Sequence, residues 1–304
     1  MTNFSPKSLS SFVEDVEQWG EKVNSERGMT LEIENEVLSM SNPLDRVCTE
    51  EWRKMNIGFA ITDAIQHIVG DDSLAPLTQF VPGFSKYSTN GRTIDGAYGK
   101  RFHANEQLDK IIMMLRKDPM TRRAVLSVYM GPVDLWGGGG LNTPCTLNFH
   151  FLVRDEKLNM KVMMRSNDVI LGLTNDVFTF TMLHEYISSH VEIPIGDYTH
   201  FASSLHLYES DLSKYKPTHG GHWNKVMHAM PFKWDPKPLY DALIHLNVTL
   251  FEDACSKTFS THYDQDLYFA SAVVFYRKQD GVREMWQSIG DETLKRVAGF
   301  WIGE

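Results

Sequence analysis

Between Asn142 and Asp176 the chain reads NTPCTLNFHFLVRDEKLNMKVMMRSNDVILGLTND, which places a thiol, a guanidinium and a carboxylate in fixed order around one supersecondary unit. Cys145 follows Pro144, Arg165 opens the run Arg165-Ser166-Asn167-Asp168, and Asp176 lies eight residues beyond Asp168. A thiol is a nucleophile when ionised, and a cation beside it favours that state. Leu147 to Val153 alternates apolar and polar, Leu158 to Met164 alternates again, and Arg154-Asp155-Glu156-Lys157 supplies a charged turn. The pattern predicts a β-hairpin. Its two open ends bring Cys145 and Arg165 to one edge of a sheet.

After Gly172 the period lengthens from two to 3.6, with Val177, Phe180, Leu183, His184 and Ile187 on one face. A helix is expected there, with Thr174 or Asn175 as its cap and Asp176 in its first turn. Each piece also has a bland reading: a buried apolar Cys, a surface ion pair, a helix cap. Their coincidence within one stretch favours a site.

This stretch resembles the thymidylate synthase superfamily, and within it the pyrimidine hydroxymethylases. The family carries Pro-Cys-His before the hairpin and Arg-Ser-x-Asp-x-x-Leu-Gly-x-x-x-Asn after it; here stand Pro144-Cys145-Thr146 and Arg165-Ser166-Asn167-Asp168-Val169-Ile170-Leu171-Gly172-Leu173-Thr174-Asn175-Asp176. Thr146 in place of His and Asp176 in place of Asn are similar to the deoxycytidylate hydroxymethylase branch. The resemblance implies an α+β, thymidylate synthase-like fold: a mixed or antiparallel twisted sheet packed with helices, dimerising through the sheet.

Further roles follow from the resemblance. Arg27, in a loop after the first helix, matches the family's phosphate-covering Arg. Asp63, an acid inside the apolar run of a helix expected over 50–69, falls where the family places its general acid/base Glu. A buried acid is costly unless paired or functional. Asp95-Gly96-Ala97-Tyr98-Gly99-Lys100 is similar to the Gly-x-x-Tyr-Gly-Lys segment whose Tyr helps a water remove the C5 proton, which assigns Tyr98. Arg122 and Arg123 match a pair that reaches the phosphate of the other subunit, and so imply a homodimer. Arg165 and Ser166 would hold the phosphate, His206 and Tyr208 the sugar 3′-hydroxyl, Asp168 and Gly172 the folate. The family's Trp before the Tyr-Gly-Lys segment has no counterpart, since no Trp occurs between Trp52 and Trp136. Trp136-Gly137-Gly138-Gly139-Gly140 reads as a lid hinge.

Elsewhere the periodicity predicts helices over 6–25 and 104–117, strands over 31–38 and from Thr121 to Ser127, and C-terminal helices on Leu239, Leu243, Leu246 and Leu250, then over 266–278 and 281–296. The resemblance ends near Ser213. The chain reads as a catalytic core over 1–212 with a helical elaboration of the same domain over 213–304. The family's folate-closing tail has no counterpart in Trp301-Ile302-Gly303-Glu304.

With 304 residues and 42% hydrophobic content the chain can bury a large core. A net charge of -9 argues against a general nucleic-acid binder, although a mononucleotide needs only a local arginine cluster. Cys48, Cys145 and Cys255 are odd in number and widely spaced, which suits a reducing compartment. The N-terminus has no apolar leader core and no stretch is long enough to span a membrane. A cytoplasmic protein is expected, bacterial or of a phage in its host. His184-Glu185 with His190 has the wrong spacing for a metal motif, and neither this group nor His219 and His222 suggests a metal.

The chemistry implied is addition of the Cys145 thiolate to C6 of a pyrimidine nucleoside monophosphate, transfer of one carbon from 5,10-methylenetetrahydrofolate to C5, and hydration of the exocyclic methylene. Uracil offers an acceptor at O4 and a donor at N3, which an amide can meet. Cytosine protonated at N3 offers two donors, which suit a carboxylate, so Asp176 points to a cytidylate, and the substrate expected is dCMP in preference to CMP. The alternatives are methylation of dUMP or dCMP on the same fold, and a non-catalytic nucleotide-binding homologue.

Overall fold

The computed structural model describes residues 7–25, 27–135, 143–212, 215–216, 222–226 and 228–304. Its centre is a seven-stranded mixed sheet. In spatial order the strands are Glu21–Ser25, Gly28–Met40, Ile195–Tyr208, Lys157–Met164, Thr146–Arg154 and Val125–Ser127, with Asn167–Asp168 beside Ile195–Tyr208. Neighbours run antiparallel, except that Lys157–Met164 and Asn167–Asp168 pair parallel with Ile195–Tyr208. The fold class is α+β.

The hairpin forms as its alternation requires, with Val153 opposite Leu158 and Arg154 opposite Lys157. Asp155 and Glu156 take φ of 50° and 59°, the left-handed pair that a two-residue turn needs to match strand twist. A register shift between Thr146 and Asn148 interrupts the ladder beside the nucleophile. Irregularities of this kind re-aim side chains at sheet ends.

Three helices stack on one side of the sheet. Gly172–Val191 packs on Ile57–Val69, which in turn packs on His262–Phe275. Ile57–Val69 begins where Asn56 caps Phe59 N and stops at Gly70, whose φ of +81° and close approach to the His103 ring exclude a side chain. It is therefore shorter than the 50–69 expected: Trp52 and Met55 precede it, and Trp52 Nε1 donates to Glu50.

Other boundaries also differ. The first helix covers Leu9–Trp19 only; Gly20 turns the chain and 21–25 become an edge strand in register with Gly28–Met40. The strand expected over 31–38 extends to Gly28–Met40, the helix over 104–117 is a short 3-10 turn followed by Gln107–Lys117, and the strand near Thr121 forms only at Val125–Ser127.

In the C-terminal region the Leu239 helix ends at Leu243, leaving Leu246 buried and Leu250 exposed. The helix expected over 266–278 covers His262–Phe275, and 281–296 splits into Val282–Gln287 and Glu292–Gly299, because Asp291 caps Thr293 N and Leu294 N and starts a new helix. The terminal segment docks inward, with Trp301 Nε1 donating to the Met55 carbonyl at 3.0 Å. No helix among the described residues is long and apolar enough to cross a membrane.

Candidate active site

The hairpin's open end gathers the reactive groups. Arg165 N donates to Cys145 O at 2.8 Å, and the Arg165 guanidinium reaches Pro144 O and Thr143 O, each at 3.0 Å. Cys145 is half-buried and Arg165 exposed. Burial pushes the thiol above its ordinary value; Arg165 pulls it down, Asp176 pushes it up and Arg27 pulls it down. This corrects the expectation that Arg165 keeps the thiol acidic: desolvation outweighs the cation.

Opposite the thiol, Tyr98 accepts from Thr146 N at 3.2 Å, its ring stacked on Phe180 and edged by His67. Burial, with Cys145 and Asp176 adding to it, holds the phenol well above its usual range. The O–H stays protonated and can therefore act as a donor. Asp63 faces the same interior from the Ile57–Val69 helix. Its Oδ2 accepts from Thr179 Oγ1 at 3.2 Å and its Oδ1 lies 3.4 Å from His67 Nδ1. Burial raises its pKa, while His67 and Thr179 hold it down. The carboxyl is thus held by His67, one turn along the same helix, and by Thr179, 116 residues away.

Asp176 is not a helix cap. Its helix begins at Gly172 without a side-chain cap, so Asp176 belongs to the second turn and Thr174 and Asn175 lie inside the helix, contrary to the expected start. The turn into this helix is built by Asp168, whose Oδ1 accepts from Ile170 N at 2.8 Å and Leu171 N at 3.0 Å. Buried Arg53 holds the same turn from the other side. Its Nε donates to Ile170 O at 2.5 Å, and its Nη2 donates to Leu171 O at 3.4 Å and to Thr174 Oγ1 at 2.9 Å. Asp176 Oδ2 accepts from Asn167 Nδ2 at 2.6 Å. Burial lifts its pKa to about 7; Asn167 lowers it, while Asp63 and Asp168 raise it.

The remaining expected residues divide. Ser166 Oγ lies 3.4 Å from His206 Nδ1, and His206 meets Tyr208 edge-on, which groups these three side chains. Arg27 stands near them: its charge acts on Cys145, His206 and Tyr208, and its guanidinium lies over the Tyr87 ring with Nη1 3.4 Å from Tyr87 Oη. Tyr87 escaped notice because its segment has neither the family's Trp nor a clear period. Arg122 and Arg123 are exposed at the outer edge strand, and no carboxylate among the described residues pairs with either. Trp136 to Gly140 and His219 lie outside the described residues. Among the described residues no three His, Cys, Asp or Glu side chains group as a metal site.

This site thus combines a nucleophile, two protonatable carboxyls, a phenol donor and guanidinium groups. The thymidylate synthase family matches residues 10–220. Over 180 residues, 58% of the chain, it is 34% identical to a deoxyuridylate hydroxymethyltransferase of Pseudomonas phage M6, and over 189 residues, 59% of the chain, 30% identical to one of Delftia phage PhiW-14. These alignments cover 51% and 53% of the two relatives, so the chain spans about half the length of the curated relatives it matches. Among solved structures, thymidylate synthase from T4 phage superposes with a TM-score of 0.60 at 18% identity, over 78% of this chain and 91% of that one. The matched span contains the nucleophile, the hairpin and the helix that follows, and on it the chain belongs to the thymidylate synthase family.

Proposed function

We propose that the protein is a folate-dependent pyrimidine nucleotide hydroxymethyltransferase acting on a cytidine monophosphate, with dCMP favoured over CMP. The observation that carries the base assignment is Asp176, a half-buried carboxyl, its pKa raised by desolvation, at the position where the family's uracil readers have an amide. Hydroxymethylation rather than methylation is supported by the names of the phage relatives and by the absence of Trp between 53 and 135.

In this reading Arg165, Ser166 and Arg27 bind the phosphate, and His206 with Tyr208 binds the sugar. Cys145 adds to C6 and makes C5 nucleophilic. Methylenetetrahydrofolate supplies the carbon; Asp168 and the Leu171–Gly172 ledge, where Leu171 is 43% exposed, suit its ring. Tyr98 and Asp63 hold the water that takes the C5 proton as tetrahydrofolate departs; a second water then adds to the methylene left on the pyrimidine, and the Cys145 thiolate leaves C6 to restore the C5–C6 double bond. The enzyme works as a homodimer through the sheet, with Arg122 and Arg123 reaching the partner's phosphate, and residues 213–304 form an elaboration of the same domain. Arg101, paired with Asp134 through Nη1 and Nη2, holds the short helix Gly131–Asp134.

A second reading, action on dUMP, is favoured by one observation besides the relatives' names. With a pKa of about 7, Asp176 can be protonated and donate to O4. Incubation with CMP, dCMP and dUMP plus methylenetetrahydrofolate, read by mass spectrometry, separates the readings. A gain of one hydroxymethyl group on dCMP without dihydrofolate is the expected result; product from dUMP alone, or dihydrofolate formed in step with product, overturns it.

A further inference from the structure

The first bond to Asp176 is the end of a longer chain. Tyr198 and His200 stand two residues apart on the inward face of Ile195–Tyr208, both 1% exposed or less. Tyr198 Oη lies 2.7 Å from His200 Nδ1, His200 Nε2 lies 3.1 Å from Asn167 Oδ1, and Asn167 Nδ2 donates to Asp176 Oδ2 at 2.6 Å. Hydrogen-bond inventory fixes the direction. Asn167 Oδ1 can only accept, so His200 carries its proton on Nε2. Burial pushes the His200 pKa down to about 3, so the ring is neutral and its bare Nδ1 accepts from the Tyr198 phenol. Every donor in the chain therefore points toward Asp176.

We infer that Tyr198, His200 and Asn167 are positioning residues for base selection, a one-way relay that keeps an N–H on Asp176 Oδ2 and leaves Oδ1 as the edge presented to the pyrimidine. The inference rests on the cytidylate reading. Among the described residues Asp176 otherwise faces groups that disfavour its charge: Asp63 from the Ile57–Val69 helix and Asp168 from the turn, with Tyr98, Cys145 and Tyr198 near enough to feel it. The Asn167 N–H is the hydrogen bond that stabilises the carboxylate. A complex with cytosine protonated at N3 uses that carboxylate; a complex with uracil uses the neutral acid and needs the N–H less. Gly172 lies against the same device: a Cβ there would sit 3.0 Å from Asn167 Nδ2, close enough to press the amide by a few tenths of an ångström.

The test compares kcat/KM for dCMP and dUMP in His200→Leu, His200→Gln, Tyr198→Phe and Asp176→Asn. His200→Leu leaves Asn167 free to turn and should lower the dCMP preference roughly tenfold, the scale of one charge-assisted hydrogen bond. His200→Gln, whose amide offers a donor near the lost Nε2, should restore the preference to within about threefold of wild type by the same scale. A purely structural histidine would lower both substrates together, and an unchanged ratio in folded His200→Leu overturns the relay. Should that variant fail to fold, Tyr198→Phe keeps the shape and must lower the ratio in the same direction; no change there also overturns it. If Asp176→Asn itself leaves the ratio unmoved, base reading by Asp176 fails and the relay with it. If Asp176→Asn moves the ratio and the relay variants do not, the relay alone is wrong.

Discussion

The carbonyl of Cys145 accepts the backbone N–H of Arg165 at 2.8 Å, while the Arg165 side chain donates to the two residues before the cysteine. Nucleophile and cation are thus held by one another's backbone, yet burial leaves the thiol above its ordinary pKa. Cys145→Ala should abolish tritium release from C5-labelled dCMP, whereas Cys48→Ala and Cys255→Ala should stay near wild type. In a Cys255→Ala background, iodoacetamide should label Cys145 faster as pH rises, and Arg165→Ala should move that titration to higher pH because a charge favouring thiolate is gone. Labelling that peaks near neutral pH would contradict the buried-thiol account.

Thr179 and His67 hold the Asp63 carboxyl, whose pKa burial raises. Asp63→Asn should cut kcat by about 10²–10⁴, the usual worth of a general acid/base, with little change in dCMP affinity. Thr179→Val removes a hydrogen bond that favours the charged form, so the acidic limb of the kcat profile should shift to higher pH. A limb that stays in place would assign it to another group.

Arg53 is 5% exposed and spends its guanidinium on Ile170 O, Leu171 O and Thr174 Oγ1, at the start of the helix that carries Asp176. Arg53→Leu strands those acceptors and should cost about 3 kcal/mol in urea unfolding, since each buried unsatisfied group costs about 1–3 kcal/mol. Loss below about 1 kcal/mol would mean that water replaces the guanidinium.

Much of this site was legible in the sequence because local period exposes it. The alternation on either side of Arg154–Lys157 specifies the hairpin, and the apolar run around Asp63 marks that acid as anomalous. What stayed hidden depends on partners far along the chain. Arg53 meets its acceptors 117 to 121 residues away, Asp63 meets Thr179 116 residues away, and His200 meets Asn167 33 residues away. Asp176 lies beyond the first turn for a related reason: the helix starts at Gly172, earlier than Thr174 or Asn175 would start it, because Asp168 accepts from the N–H groups two and three residues on and Arg53, far along the chain, holds the carbonyls of the same turn. The Glu21–Ser25 strand gave no signal, since its pairing with Gly28–Met40 rather than its own polar sequence makes it extended.

Asp176→Asn joins base choice to stability. Burial places the folded pKa at about 7 against an ordinary value of 3.8, so between those values the folded protein holds a proton that the unfolded chain has lost. Stability contributed by this group is therefore present below about pH 4 and lost as pH rises through 7, a difference on the order of 4 kcal/mol at 1.36 kcal/mol per unit. Asn carries no such penalty, and its carbonyl can still accept from Asn167 Nδ2. The variant should match or exceed wild-type stability at pH 8 and show a flatter dependence from pH 8 to 5. A helix cap would instead lose roughly 0.5–2 kcal/mol at all these pH values. The same amide meets uracil's donor and acceptor together, so dUMP should gain relative to dCMP. Because two acceptors set against each other cost roughly 1–3 kcal/mol, and more with charge, the wild-type preference for dCMP should be about two orders of magnitude. Urea melts at pH 5 and 8, with kcat/KM for both nucleotides, decide the matter: an unchanged ratio with a uniform loss of stability would return Asp176 to a structural role.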